Sequence, residues 1–307
     1  MIFRFAFYPI LTHCEATRYS VTMSHSSERV GPVLPAEITD IIIDHLHDQP
    51  HALSACSLTC SNWLPRSRHH RFRDVELMDT SKFSSFAALI TGAPEIGDCV
   101  KKLVFRSHCD EHTHNYHVPG LGEPSCDRVC YPNVRTVVAA ARDLRELRID
   151  GLPLALFSAV SSSVESVSLS FVSMPPAADL TRWIRSLPSL RSLAVDLLAF
   201  ESDHRIEFEI PEGAPAVAHS LDELQVSFVA SLYWPSSFSE WLISERVGSQ
   251  LRRLRVHSLG KSRGGINGGV KQLLRELGPS LELLEICINS DESGQPLQQR
   301  TFARCIC

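Results

Sequence analysis

The chain of 307 residues contains no apolar run of the roughly 20 residues that a membrane-spanning helix needs. It also lacks any Asn-x-Ser/Thr glycan acceptor. Excess positive charge is missing too: 30 Lys and Arg stand against 35 Asp and Glu, a formal charge of −5. That balance is the reverse of the basic face expected of a nucleic-acid protein. Signatures of catalysis are scarce. Gly260-Lys261-Ser262 ends like a phosphate loop, but the glycine required five residues before Gly260 is replaced by Arg255. There is no His-Glu-x-x-His, and no two carboxylates stand out by spacing as an acid–base couple. On these grounds the chain reads as a non-enzymatic protein with no cofactor and no metal.

Cysteine is not scarce, with ten residues at 14, 56, 60, 99, 109, 126, 130, 287, 305 and 307. A chain of this length does not need covalent staples, and these spacings are not those of a small secreted framework. Reduced thiols and a cytoplasmic or nuclear location follow. An apolar share of 44% is ample for a folded core, and the length suits two domains. Residues 1–32 read as a poorly packed tail. Arg4 and the apolar run to Leu11 resemble a signal sequence, but Pro9 and His13 interrupt it and no small-x-small cleavage site follows. Met23 is a second candidate start.

From Leu34 the pattern becomes strict. Pro35 suits a first helical turn and Glu37 the positive end of the helix dipole. Ile38, Ile41, Ile42 and Leu46 recur at steps of three and four, which predicts one apolar helical stripe. His47-Asp48-Gln49-Pro50 ends that helix. Leu53, Cys56 and Cys60 follow at helical spacing, with Leu58 on another face and Trp63 just beyond. Cys56 and Cys60 have no further ligands at a metal-site spacing, so they read as small core residues. His69 and His70 point about 100° apart on a helix and read as solvated surface.

Leu34-Pro-x-Glu-Ile, the isoleucine-rich helix and Leu53-x-x-Cys56-x-Leu58-x-Cys60-x-x-Trp63 together resemble an F-box. The pattern is most similar to the F-box-like proteins of mushroom-forming fungi and covers residues 33–78. The resemblance implies a three-helix motif that docks a Skp-type adaptor and, through it, a cullin ubiquitin ligase. It places Leu34, Pro35, Ile38 and Ile42 at the adaptor-facing and packing positions of the first helix. Leu53, Cys60 and Trp63 take those of the second and third. Thr59 departs from the family, which often has an aliphatic residue there.

A separate signal fills residues 79–307, beginning slightly before that boundary. The triplet apolar-x-x-apolar-x-apolar occurs eight times, with first positions at Phe72, Val100, Leu144, Val164, Leu190, Leu221, Leu251 and Leu281. The intervals are 28, 44, 20, 26, 31, 30 and 30 residues, close to leucine-rich repeats apart from the 44. Helical stripes lie between them, at Val134, Val137, Val138 and Ala141, and at Leu180, Trp183, Ile184 and Leu187. Trp241-Leu242 and Val270 to Leu277 suggest two more. The fold class is therefore α/β: a three-helix F-box, then an irregular leucine-rich-repeat-like arc with a parallel sheet and outer helices.

Alternation within each strand puts the residues between the buried ones on the open face. Arg148, Arg253, Arg255 and His257 are the candidate substrate-binding residues there, able to receive an acidic or phosphorylated segment. The long interval carries Cys109, His112, His114, His117, Cys126 and Cys130. These spacings match no closed zinc module, so a plain insertion is expected. The reading that results is a substrate-receptor subunit, a single copy within a ligase hetero-complex, that binds an unknown protein substrate. The alternative is a binding scaffold that recruits no ligase.

Overall fold

The computed structural model describes residues 34–106, 126–171, 177–197, 221–229, 242–243, 250–259, 274–276 and 280–289. The tail 1–32, residues 109–125 of the Cys/His-rich insertion, Gly260-Lys261-Ser262 and the C-terminal 290–307 lie outside them. Most of the helices expected around Trp241 and Val270 lies outside as well. The chain divides into two compact units, Met1–Arg71 and Phe72–Cys307.

The first unit holds three short helices, α1 (Ala36–His45), α2 (Pro50–Thr59) and α3 (Leu64–Arg71). Pro50 opens α2, where a missing N–H costs nothing. The buried apolar core of this unit is small: Ile43, Leu53 and Cys56, with Leu46 and Trp63 packed against it. The stripe expected to seat α1 is therefore not what seats it. Ile38, Ile41 and Ile42 face solvent, and α1 instead buries Thr39 and Ile43. Periodicity locates an apolar face but does not say whether that face meets the protein's own core.

In the second unit all eight triplets become strands: β1 (Asp74–Leu77), β2 (Lys102–Arg106), β3 (Glu146–Asp150), β4 (Ser166–Phe171), β5 (Ser192–Leu197), β6 (Glu223–Val229), β7 (Arg253–Leu259) and β8 (Leu283–Asn289). They form one sheet in sequence order, every pairing parallel. The triplets align across it. Val75, Leu103, Leu147, Val167, Leu193, Leu224, Leu254 and Leu284 form one row. That row belongs to a single apolar core together with the helices α4 (Thr80–Gly92), α6 (Cys126–Ala140) and α7 (Ala177–Arg185). A short helix, α5 (Glu95–Cys99), lies between α4 and β2. Cys126 and Cys130 sit in α6, so the expected insertion ends in helix rather than loop.

Local chemistry explains the helix starts and stacking. Asp79 caps α4 by accepting from the Lys82 amide at 2.8 Å, and Phe83, Phe86, Ala87 and Ile90 follow at core spacing. Buried Trp183 of α7 donates from Nε1 to the Phe157 carbonyl at 2.9 Å. That carbonyl ends a 3-10 turn, Leu154–Phe157, so the bond stitches one crossover to the next. Strand entries repeat one device. The carbonyls of Arg73, Lys101, Arg145, Glu165, Arg191, Asp222 and Arg252 each accept two consecutive amides of the next strand's entry, at 2.7–3.0 Å. No helix among the described residues is long and apolar enough to cross a membrane.

Candidate functional site

In the first unit the candidate surface is the outer face of α1. Ile38, Ile41 and Ile42 are 45, 52 and 40% exposed, and helical spacing places them on one side; Leu34, two residues before the helix, is 53% exposed. Leu58 of α2 is 86% exposed. These five are the exposed large hydrophobic residues of the described chain. Pro35 is exposed as well, and so is Cys60, which corrects its reading as a core residue; of the two cysteines only Cys56 is buried. Of the other predicted docking residues, Leu53 is fully buried and Trp63 is half-buried against the small core. Those two hold the unit together. Thr59 is exposed, and its hydroxyl donates to the Ala55 carbonyl at 3.0 Å, so no polar group is buried there.

With so little apolar core, a polar clamp holds α1 to α3. Arg66 donates to both carboxylate oxygens of Asp44, at 2.5 and 2.6 Å, and His70 Nε2 lies 2.6 Å from Asp44 Oδ1. The hydrogen bond from Arg66, then that from His70, hold the Asp44 carboxyl well below the usual carboxylate range. The expectation of a solvated His70 is thereby corrected: its side chain is 9% exposed, drawn inward by Asp44. No sequence signal links residues 26 positions apart.

In the second unit the candidate surface is the sheet face opposite the helices. Its described cations each have a carboxylate partner. Lys102 pairs with Glu146 at 2.8 Å, and Arg106 lies between Glu76 at 3.1 Å and Asp150 at 3.3 Å. Arg148 also reaches Asp150, at 3.1 Å. On the far side Arg253 and Arg255 both reach Glu223, at 3.7 and 3.0 Å, and Arg255 reaches Glu285 at 3.3 Å. The predicted arginines thus lie in one face, but not as a cluster of spare positive charge. His257 stands in the next row, its Nε2 buried with no hydrogen-bond partner among the described residues.

Between the two blocks of ion pairs, β4 and β5 present Ser166, Ser168, Ser170, Ser192, Ala194 and Asp196. Sequence reasoning missed the pairing of the arginines, because it depends on strand register. It also missed Gly260-Lys261-Ser262-Arg263-Gly264, just after β7, which has the Gly-x-Ser-x-Gly spacing of a nucleophile elbow. That segment lies outside the described residues. Among the described residues no three His, Cys, Asp or Glu side chains are grouped to hold a metal ion. The chain matches no protein-family model and no curated protein.

Proposed function

We propose that the protein is the substrate-receptor subunit of a Skp–cullin–F-box ubiquitin ligase, with an F-box in its first unit and a leucine-rich-repeat-like recognition domain in its second. The observation that carries the reading is the exposed face of α1. Ile38, Ile41 and Ile42 are held out to solvent there, with Leu34 exposed just ahead of the helix, while Ile43, Leu53 and Cys56 form a separate core. Each such side chain contributes roughly 1.5–3 kcal/mol when fully buried, and a few central anchors dominate most interfaces. The Leu-Pro start and the two cysteines with Trp63 support the same assignment. Eight aligned strands supply a broad second surface, suited to a protein partner rather than a small molecule.

Co-purification with a Skp-type adaptor and a cullin tests this reading. Ile38→Asp with Ile42→Asp places charge on the exposed face without touching Ile43, Leu53 or Cys56. The wild type should capture the adaptor and the folded double variant should not. Capture by neither would remove the ligase role and leave a binding scaffold, and equal strong capture by both would remove the face of α1 as the docking surface.

A further inference from the structure

We propose that the face of the second unit receives an extended protein segment bearing a lysine or arginine, whose cation docks at Asp196, Ser227 and His257. This deepens the recognition half of the proposed function and is independent of adaptor docking. Three observations converge on it.

The first is charge. Lys102, Arg106, Arg148, Arg253 and Arg255 each have a carboxylate partner within the face. Asp196 lies inside the same face with no cation among the described residues. Its contact there is Ser170 Oγ, which donates to Oδ2 at 3.4 Å. Among the described residues, the charge left unmatched in the interior of this face is thus negative. An acidic or phosphorylated segment would have to displace Glu223 and Glu285 from their arginines, whereas a cation meets a carboxylate that is already waiting.

The second is an unused acceptor. Ser227 is in register with Asp196 and His257 on adjacent strands, and alternation turns it to the same face. Ser227 is 8% exposed. His257 Nε2 beside it is buried, with no hydrogen-bond partner among the described residues. A buried polar group without a partner costs about 1–3 kcal/mol, so this nitrogen beside the Ser227 hydroxyl marks a place where a donor would be welcome. An ammonium or guanidinium is such a donor and carries no competing acceptor. The carboxylate, the hydroxyl and the imidazole in its Nδ1–H tautomer all accept from it.

The third is shape. The long side chains of Arg148 on β3 and of Glu223 and Gln225 on β6 flank a floor of serine and alanine. Three strand spacings separate these walls, roughly 14 Å, which is enough for one extended segment lying along β4 and β5.

The test is a random displayed-peptide library selected on the full chain and counter-selected on Asp196→Lys. The surviving peptides should share a lysine or arginine. Each should lose about tenfold or more in Kd on Asp196→Asn, and equally when its own basic residue becomes alanine. Ser192→Gln narrows the floor without altering Asp196 or the charge of the face and should also weaken binding. It carries the test if Asp196→Asn does not fold. Survivors without a common basic residue, survivors enriched in acidic residues, a Kd unchanged on both variants, or no peptide that tells wild type from Asp196→Lys each overturn the proposal. No adaptor enters the assay, so capture of basic peptides by a chain that binds no adaptor would keep this inference and refute the ligase role alone.

Discussion

Substituting alanine at two nearby glycines should change stability in opposite directions. A Cβ added at Gly97 of α5 would lie 2.4 Å from the Ala140 carbonyl oxygen, 3.0 Å from its carbon and 3.3 Å from its Cβ. Ordinary contact begins at 3.4 Å, so α5 and the end of α6 must part by about 1 Å. Neither side can give easily. The Ala140 oxygen accepts from the Arg142 amide at 3.0 Å, and Val137, Val138 and Ala141 beside it are fully buried. Overpacking of this kind typically costs 1–3 kcal/mol, offset by up to about 1 kcal/mol from alanine's better helix propensity. The expected net loss for Gly97→Ala is about 1–2 kcal/mol, or roughly 2–8 °C in Tm for a unit of this size. Gly92 ends α4 with nothing within 4 Å of an added Cβ, so Gly92→Ala should be neutral or stabilising by up to about 1 kcal/mol. Thermal and urea unfolding of the two variants alongside wild type decide the matter. A Gly97→Ala protein as stable as wild type would refute the packing argument, and loss at both positions would point to a cause other than the clash.

Three further outcomes follow from the same structure. Trp183→Phe keeps most of the ring but strands the buried Phe157 carbonyl, and should cost about 1–3 kcal/mol in urea unfolding. Leu53→Ala should cost about 2–5 kcal/mol in a unit with so small a core, whereas Ile38→Asp should leave the Tm nearly unchanged while removing adaptor capture. The Asp44 carboxyl is depressed in the folded state, so its contribution is present above the ordinary carboxylate pKa of about 4 and is lost as pH falls below it. Amide-exchange protection of α1 should therefore drop below about pH 4 in the wild type. In Asp44→Asn protection should be low throughout, with no such step.

The sheet was legible in the sequence because each triplet combines a period of two with burial on one side only. Val75, Leu103, Leu147 and their counterparts name both the strands and their alignment. The orientation of α1 was not legible. Ile38, Ile41 and Ile42 have the spacing of a core stripe, and the same spacing serves a helix that meets a partner. Ile43, the residue that does enter the core, interrupts that stripe by a single position. Pairing was harder still. Arg255 reads as spare charge until register sets it between Glu223 and Glu285, and His70 reads as surface until folding brings Asp44 to it. Asp196 becomes notable only once register shows the described arginines of the face to be paired already.

The seven carbonyls that each receive two amides from the following strand also bear on how such a chain can change over generations. Alignment is fixed at the entry to every strand, so it does not depend on how much chain runs between entries. Crossovers of very different length, as in the intervals of 20 and 44 residues here, leave the rows in step. Insertions can accumulate between strands without scrambling the surface they support. A whole strand with its crossover can also be gained or lost as one heritable unit, widening or narrowing that surface by a single row.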